Sequence, residues 1–321
     1  MLRWKCVGSL IFILIVVLAQ KVFTQEPNRK QITNIQNILT SLKQPSQSTF
    51  TKGTIKQNGG TVAKSKFAST KNLKEIVIGR CYEYMFKRDI PEKWDCGQIW
   101  SKFFEAFAYK GPCYVTQKDY EGLINYMAEE VPRDKGLLWS GSREISHKFS
   151  DFRYTNRFIT LEDTLAGFLV NKLSWCGTEK DPGIDFTQCT WECSIQAPYW
   201  STANKKFAQK LRGTVHIILN GTRQHLDDKN VYPSFMQNRY YLGPYVLPEL
   251  NSKNIDKIVI IVAHTLHLKP LESCGEKTVL LLTDLIRNKG IPVDCHDDTD
   301  AVRHLLCVDD PSTDVCKFQA I

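Results

Sequence analysis

Lys257-Ile258-Val259-Ile260-Ile261-Val262-Ala263 is a short run of branched apolar residues with no polar alternation. A strand of this kind belongs inside a parallel sheet, where both faces are covered. Upstream, Thr214 to Leu219 is a second short run rich in Val and Ile. Downstream, Thr278 to Lys289 is amphipathic and closed by Gly290, as a helix end requires. Ile291 to Cys295 then reads as another strand. Strands separated by crossover helices imply an α/β fold with a small parallel sheet, whose ligands sit in clefts at the carboxyl ends of the strands. Before residue 212 the pattern is helical: Ile99, Trp100, Phe103, Phe104 and Phe107 recur at helical spacing, and so do Leu161, Leu165, Phe168, Leu169 and Leu173. Thr160 is placed to cap the second of these helices, with Glu162 and Asp163 in its first turn, where acids favour the positive end of the dipole. No internal repeat is present.

The first residues read as an export signal. Arg3 and Lys5 precede an apolar run from Val7 to Ala19, short for a bilayer span of about 20 residues, so cleavage is expected near Thr24. The rival reading is an uncleaved anchor at 7–19, which would give a type II membrane protein. From Gln25 to about Lys74 the chain is rich in Gln, Ser, Thr, Asn and Lys, a composition that cannot bury enough surface to offset chain entropy. The expected organisation is therefore a signal peptide over 1–24, a disordered polar spacer over 25–75, a mainly helical subdomain over 76–211 and an α/β subdomain over 212–321, the last two forming one domain. Folding is expected to begin near Ile76. The net charge of +8 invites a nucleic-acid partner, but much of the excess lies in the spacer, where it serves solubility. No nucleic-acid partner is expected.

Eleven cysteines are present, and Cys6 falls within the signal, leaving ten in an oxidising compartment. Without paired CxxC knuckles, Cys189 with Cys193, or Cys295 beside His296, make a poor metal site, so disulfides are expected and no metal. Asn220-Gly221-Thr222 is a glycosylation sequon, usable only along the secretory route.

Several strings occur together in a recognisable order: Leu137-Leu138-Trp139-Ser140, Thr160-Leu161-Glu162-Asp163-Thr164-Leu165, Trp175-Cys176-Gly177 and Leu219-Asn220-Gly221-Thr222-Arg223. With the cysteine frame, this set resembles the ADP-ribosyl cyclase and NAD glycohydrolase family over roughly Cys81 to Cys316. That family carries one bridge more than ten cysteines can make, and the two absent cysteines fall at Arg133 and Arg212, positions that bond each other in the family. The resemblance then implies Cys81 with Cys96, Cys113 with Cys193, Cys176 with Cys189, Cys274 with Cys295, and Cys307 with Cys316.

The resemblance further implies cleavage of the nicotinamide–ribose bond of NAD, which is substrate or ligand here; no separate cofactor is expected. That bond breaks through an oxocarbenium-like state, which calls for a carboxylate beneath the sugar and for groups that hold the leaving base. By resemblance Trp139 and Trp200 flank the nicotinamide ribose, Glu162 with Asp163 near it bonds the nicotinamide amide, and Ser140 lies near the phosphates or ribose. Each has a plainer reading alone: a core tryptophan, helix-start acids, an aromatic stapling a helix entry.

The pattern breaks at the catalytic glutamate. Counting back from the Lys257 strand, its position falls on Val246; counting forward from Asp228-Lys229-Asn230, it falls on Gln237. Leu247-Pro248-Glu249-Leu250 continues the family pattern, which favours Val246. Gly141 also replaces an arginine expected to face phosphate, and Asn204 a serine. Glu249, three residues beyond Val246, is the one nearby carboxylate for a rescue. Two functions follow: an NAD-cleaving enzyme that uses Glu249 or Glu162 alone, or an inactive paralogue that keeps the cleft as a nucleotide-binding or interaction protein.

Overall fold

The computed structural model describes residues 68–90, 92–150, 158–189, 193, 196–222, 241–309 and 311–316. The readings of 1–24, of the spacer up to residue 67 and of Gln237 lie outside the described residues.

Ordered structure starts before Ile76. Ser69 donates its N–H to the Asp185 carbonyl at 3.0 Å, Thr70 to that of Ser174 at 2.8 Å, and the Cys176 N–H donates to Ser69 Oγ at 2.9 Å. Leu73, 1% exposed, then opens helix α1 (Leu73–Lys87). Residues 68–75 were assigned to the polar spacer because they contain few apolar side chains; their anchorage comes from backbone and hydroxyl hydrogen bonds, which hydropathy does not register.

Helix α2 (Cys96–Phe107) begins at Asp95, whose carboxylate accepts from the Gln98 N–H at 3.0 Å, and buries Ile99, Phe103 and Phe107 on one face. Helix α3 (Gln117–Tyr126) is fixed at its start by Asp119, which accepts from both the N–H and the hydroxyl of Thr116. Phe103, Tyr120, Trp175 and Tyr199 meet edge to face at the centre of this part; the Trp175 indole donates to the Tyr120 hydroxyl at 2.9 Å and the Tyr199 hydroxyl to the Ala166 carbonyl at 2.6 Å.

Among the described residues the sheet has four parallel strands in the order β1 (Leu137–Ser140), β2 (Gly213–Asn220), β3 (Ile255–Ala263) and β4 (Val293–Asp297). Ile217 sits opposite Ile260, and Ile260 opposite Cys295. The three strands expected from sequence are β2, β3 and β4. The fourth, β1, comes from the stretch expected to be helical, and its pairing of Trp139 with Ile218 carries the sheet across the boundary drawn near residue 212. Helix α4 (Arg143–Ser150) follows β1 directly.

The helix expected from Thr160 is in fact two pieces. Leu161–Asp163 is a 3₁₀ turn, and helix α5 (Leu165–Val170) starts afresh from Thr164, whose extended backbone interrupts the first and whose side chain caps the second. Helix α6 (Gln196–Gln209) leads into β2; helices α7 (Lys277–Arg287) and α8 (Asp300–Asp309) follow β3 and β4.

All five disulfides are the pairs named above, each of a kind typically worth about 2–4 kcal/mol. At the site of the missing bridge, the Asp134 N–H donates to the Arg212 carbonyl at 3.1 Å, Arg133 pairs with Asp256, and Lys210 and Arg212 pair with Glu130. Exposed ion pairs of this kind contribute about 0–1 kcal/mol each, so charge replaces covalent restraint only in part. Among the described residues no helix is long and apolar enough to cross a membrane.

Candidate active site

A cavity of about 460 Å³ opens at the carboxyl end of β1, large enough for much of a dinucleotide. Five described segments wall it, one of them the end of α5 at Asn171. The end of β1 supplies Trp139 and Ser140, after which Gly141 turns the chain with φ 72°, a conformation that favours glycine, and Arg143 begins α4. The 3₁₀ turn supplies Glu162. Helix α6 contributes Trp200, Asn204 and Phe207, which spacing of four and three residues puts on one face. Tyr241, Leu242 and Val246 come from a π-type turn over Leu242–Val246.

The 3₁₀ turn is held from both sides. Asp163 accepts from the N–H and the hydroxyl of Thr160 at 2.8 and 2.7 Å. Below it, Gly167 lets α5 approach: a Cβ there would come within 2.1 Å of the Leu161 carbonyl. Glu129 completes the support, its carboxylate accepting from the Leu165 N–H at 2.7 Å and from the Tyr84 hydroxyl. Glu162 therefore stands on a fixed turn, and the Trp139 indole donates to its Oε2 at 3.3 Å. The Trp139 ring packs edge-on to His147 at 6.1 Å.

Trp139, Ser140, Glu162 and Trp200 thus line one cavity. Asp163 does not; its carboxylate is spent on Thr160 and keeps the turn in shape. Glu249 does not either: it sits in the following 3₁₀ turn (Leu247–Glu249), where its Oε2 accepts from Gln209 Nε2 at 2.9 Å. Val246 lines the cavity at 1% exposure, so the position assigned by resemblance to a carboxylate presents two methyl groups. Glu162 is the one carboxylate among the described lining residues, and Arg143 the one cation. Arg143, Asn171, Gln196 and Tyr241 had no sequence signal, because each reads as an ordinary helix or loop residue until the chain is folded. Burial and the neighbouring Tyr245 push the Tyr241 phenol up to about 12, which keeps it a neutral hydrogen-bonding group at physiological pH.

The Asn220 amide is half-buried and engaged. Its Oδ1 accepts from the Thr222 N–H and hydroxyl at 2.9 and 2.7 Å, and its Nδ2 donates to the Gly141 carbonyl at 3.2 Å, tying β2 to the turn after β1. At the end of β3, His264 is 8% exposed between two acceptors: Nδ1 lies 2.7 Å from Asp298 Oδ2 and Nε2 lies 2.8 Å from the Glu272 carbonyl. Only the doubly protonated ring donates to both. Burial lowers its pKa, but the Glu272 carbonyl and the carboxylates of Asp298 and Asp297 together raise it above the ordinary value.

The fold and site define a disulfide-stapled α/β protein with an aromatic-walled, nucleotide-sized pocket at the end of a parallel sheet. Comparison agrees at every level. A family model described as ADP-ribosyl cyclase matches residues 70–316. The ADP-ribosyl cyclase/cyclic ADP-ribose hydrolase of Aplysia kurodai is 32% identical over 257 residues, covering 78% of this chain and 88% of that protein. The human ADP-ribosyl cyclase/cyclic ADP-ribose hydrolase 2 is 32% identical over 269 residues, covering 82% and 81%. Among solved structures, an ADP-ribosyl cyclase complexed with N1-cIDPR superposes with TM-score 0.70 at 30% identity, covering 78% of this chain and 99% of that one. Porcine CD38 complexed with a covalent intermediate gives 0.63 at 27% identity, covering 73% and 98%. The chain belongs to the ADP-ribosyl cyclase family.

Proposed function

We propose that this protein binds NAD, or a close relative of it, in the Trp139–Trp200 cleft and that its cleavage of the nicotinamide–ribose bond is slow or absent. The carrying observation is Val246, buried to 1% exposure on the cavity wall where the family resemblance assigns a glutamate. Two tryptophans offer flat faces to a pyridine or purine ring and its sugar, and Glu162 accepts hydrogen bonds from an amide. Binding needs no more than this. Cleavage needs negative charge beneath the anomeric carbon as the oxocarbenium character develops, and a valine supplies none. A relative has been solved with a covalent intermediate, which requires a nucleophile at the sugar; the valine side chain has no atom that can form such a bond.

A second reading keeps slow hydrolysis. It is favoured by Glu162, a carboxylate in the same cavity fixed by Trp139, which can stabilise positive charge on the ribose at a distance while water attacks. Losing one fixed nucleophile can cost on the order of 10⁶ in kcat, with about 10³ over water retained by the remaining site.

Export fits both readings. Five disulfides are at home in an oxidising compartment, and the Val7 to Ala19 run gives a route there, as a cleaved signal or an anchor. The deciding experiment measures NAD binding by calorimetry and nicotinamide release by chromatography on the same oxidised protein. Binding with negligible release supports the proposal, release that Glu162→Ala abolishes supports the second reading, and rapid release that survives Glu162→Ala refutes both.

A further inference from the structure

Arg143 stands on the cavity wall beside Ser140 and Gly141, four residues before His147 on the same face of α4. Its guanidinium has a neutral partner. Instead of a carboxylate it meets the side-chain amide of Asn171, donating from one terminal nitrogen to Oδ1 at 3.3 Å. That amide is itself on a fixed post: the Asn171 N–H donates to the Gly167 carbonyl at 3.1 Å, and the Asn171 carbonyl accepts from Arg80 at 2.8 Å, which also holds the carbonyls of Leu169 and Phe168. Asn171 therefore orients the guanidinium without neutralising it. No ion pair joins Arg143 to a carboxylate among the described residues, whereas the exposed arginines Arg133, Arg212 and Arg303 are each paired with an acid. An oriented, unneutralised guanidinium in a concave site, with most of its N–H donors unspent, is built to receive an anion, and its planar fork matches the oxygens of a phosphate or diphosphate.

We propose that Arg143 is the residue that recognises the diphosphate of the bound nucleotide, and that it makes this cleft selective for phosphorylated over unphosphorylated nicotinamide compounds. The proposal rests on the nucleotide reading of the cleft and adds to it. It also accounts for Gly141: with glycine there, the chain turns tightly after Ser140 and leaves space in front of α4, and the cation comes from two residues further along. Trp139, Trp200 and Glu162 then hold the ring and sugar end of the ligand, while Arg143 and Asn171 form the anion end of the same cavity.

The test compares NAD with nicotinamide riboside, which shares the ring and ribose and lacks the phosphates, by titration calorimetry on the oxidised protein. Two variants are needed. Arg143→Ala removes the cation; Asn171→Asp leaves it in place but gives it a neutralising carboxylate. Each is expected to weaken NAD about 10- to 100-fold, the value of a charge-assisted hydrogen bond, and to change riboside affinity by less than about twofold. The salt dependence of NAD binding flattens in both variants. Arg143→Lys, which keeps charge but not the fork, recovers part of the loss. NAD binding unchanged in Arg143→Ala and Asn171→Asp overturns the proposal while leaving the nucleotide reading intact. Equal loss of NAD and riboside also overturns it, since Arg143 then only props the wall. A wild-type protein that binds neither compound removes the nucleotide reading itself and this inference with it.

Discussion

Val246→Glu returns a carboxylate to the cavity wall. The Val246 backbone is anchored within its π-type turn, its N–H donating to the Tyr241 carbonyl at 3.1 Å, so the new side chain enters the cavity along the direction the valine now takes. Two magnitudes follow. The stability cost is that of burying a polar group at a site now 1% exposed on the wall of an open cavity, about 1–3 kcal/mol. At roughly 2–4 °C per kcal/mol, Tm falls by about 2–12 °C, which a chain with five disulfides should tolerate. The catalytic gain is bounded above by the order of 10⁶ for a fixed nucleophile acting with its partners, and is expected nearer 10³, because Gly141 and Asn204 have also left the family pattern. Glu162 shares the cavity, and its charge raises the pKa of the newcomer, so the recovered rate climbs with pH as the second carboxyl ionises. The assay is nicotinamide release from NAD, run beside NAD affinity and circular dichroism. A folded variant that binds NAD as the parent does, yet releases nicotinamide no more than tenfold faster, would show that Val246 is not the reason for weak cleavage.

Three more outcomes are expected. Glu162→Gln keeps an acceptor for the Trp139 indole but removes the charge, so NAD, whose nicotinamide ring is cationic, should bind about fivefold more weakly while ADP-ribose is unaffected; equal losses by calorimetry would sink the assignment of Glu162 to the ring end. The His264 pKa is raised in the folded state, so its contribution to stability is fully present below the unfolded value near 6.5 and is lost as pH rises through the folded value. Thermal melts should therefore show the advantage of wild type over His264→Gln shrinking above that pH, and a pH-independent difference refutes it. Arg133→Cys with Arg212→Cys should form a sixth bridge closing a loop of about 80 residues, worth about 2–4 kcal/mol and a Tm rise of roughly 4–16 °C. A bridge proved by mass spectrometry with no gain in Tm would contradict this.

The interior strands were legible because parallel strands leave a clear trace: the middles of β2 and β3, Val215 to Leu219 and Ile258 to Val262, are mostly buried and, His216 apart, are written in Val, Ile and Leu. Strand β1 left none. It is four residues long, at the sheet edge, and all four residues line the cavity, so Leu137 to Ser140 showed only as a familiar string. Likewise the apolar spacing of Leu161, Leu165 and Leu169 promised one helix, but spacing does not report that Thr164 adopts an extended backbone and starts a new one. At the site, Trp139, Ser140, Glu162 and Trp200 were found through resemblance. Asp163 came from the same resemblance and Glu249 from its carboxylate close to Val246, and the partners that hold them elsewhere, Thr160 and Gln209, are visible only in three dimensions. Arg143 is the converse case: its meaning lies in its place on the cavity wall and in a neutral partner, the Asn171 amide.

The disulfides divide the chain unevenly. No cysteine occurs between Cys193 and Cys274, and that interval contains α6, β2, β3 and the turn bearing Val246. Evolution can therefore lengthen, shorten or rewrite the crossover between the two central strands without disturbing a single covalent tether. The position of Val246 thus varies free of covalent restraint, while Trp139, Gly141 and Glu162 elsewhere on the wall lie in the cysteine-bridged part of the chain.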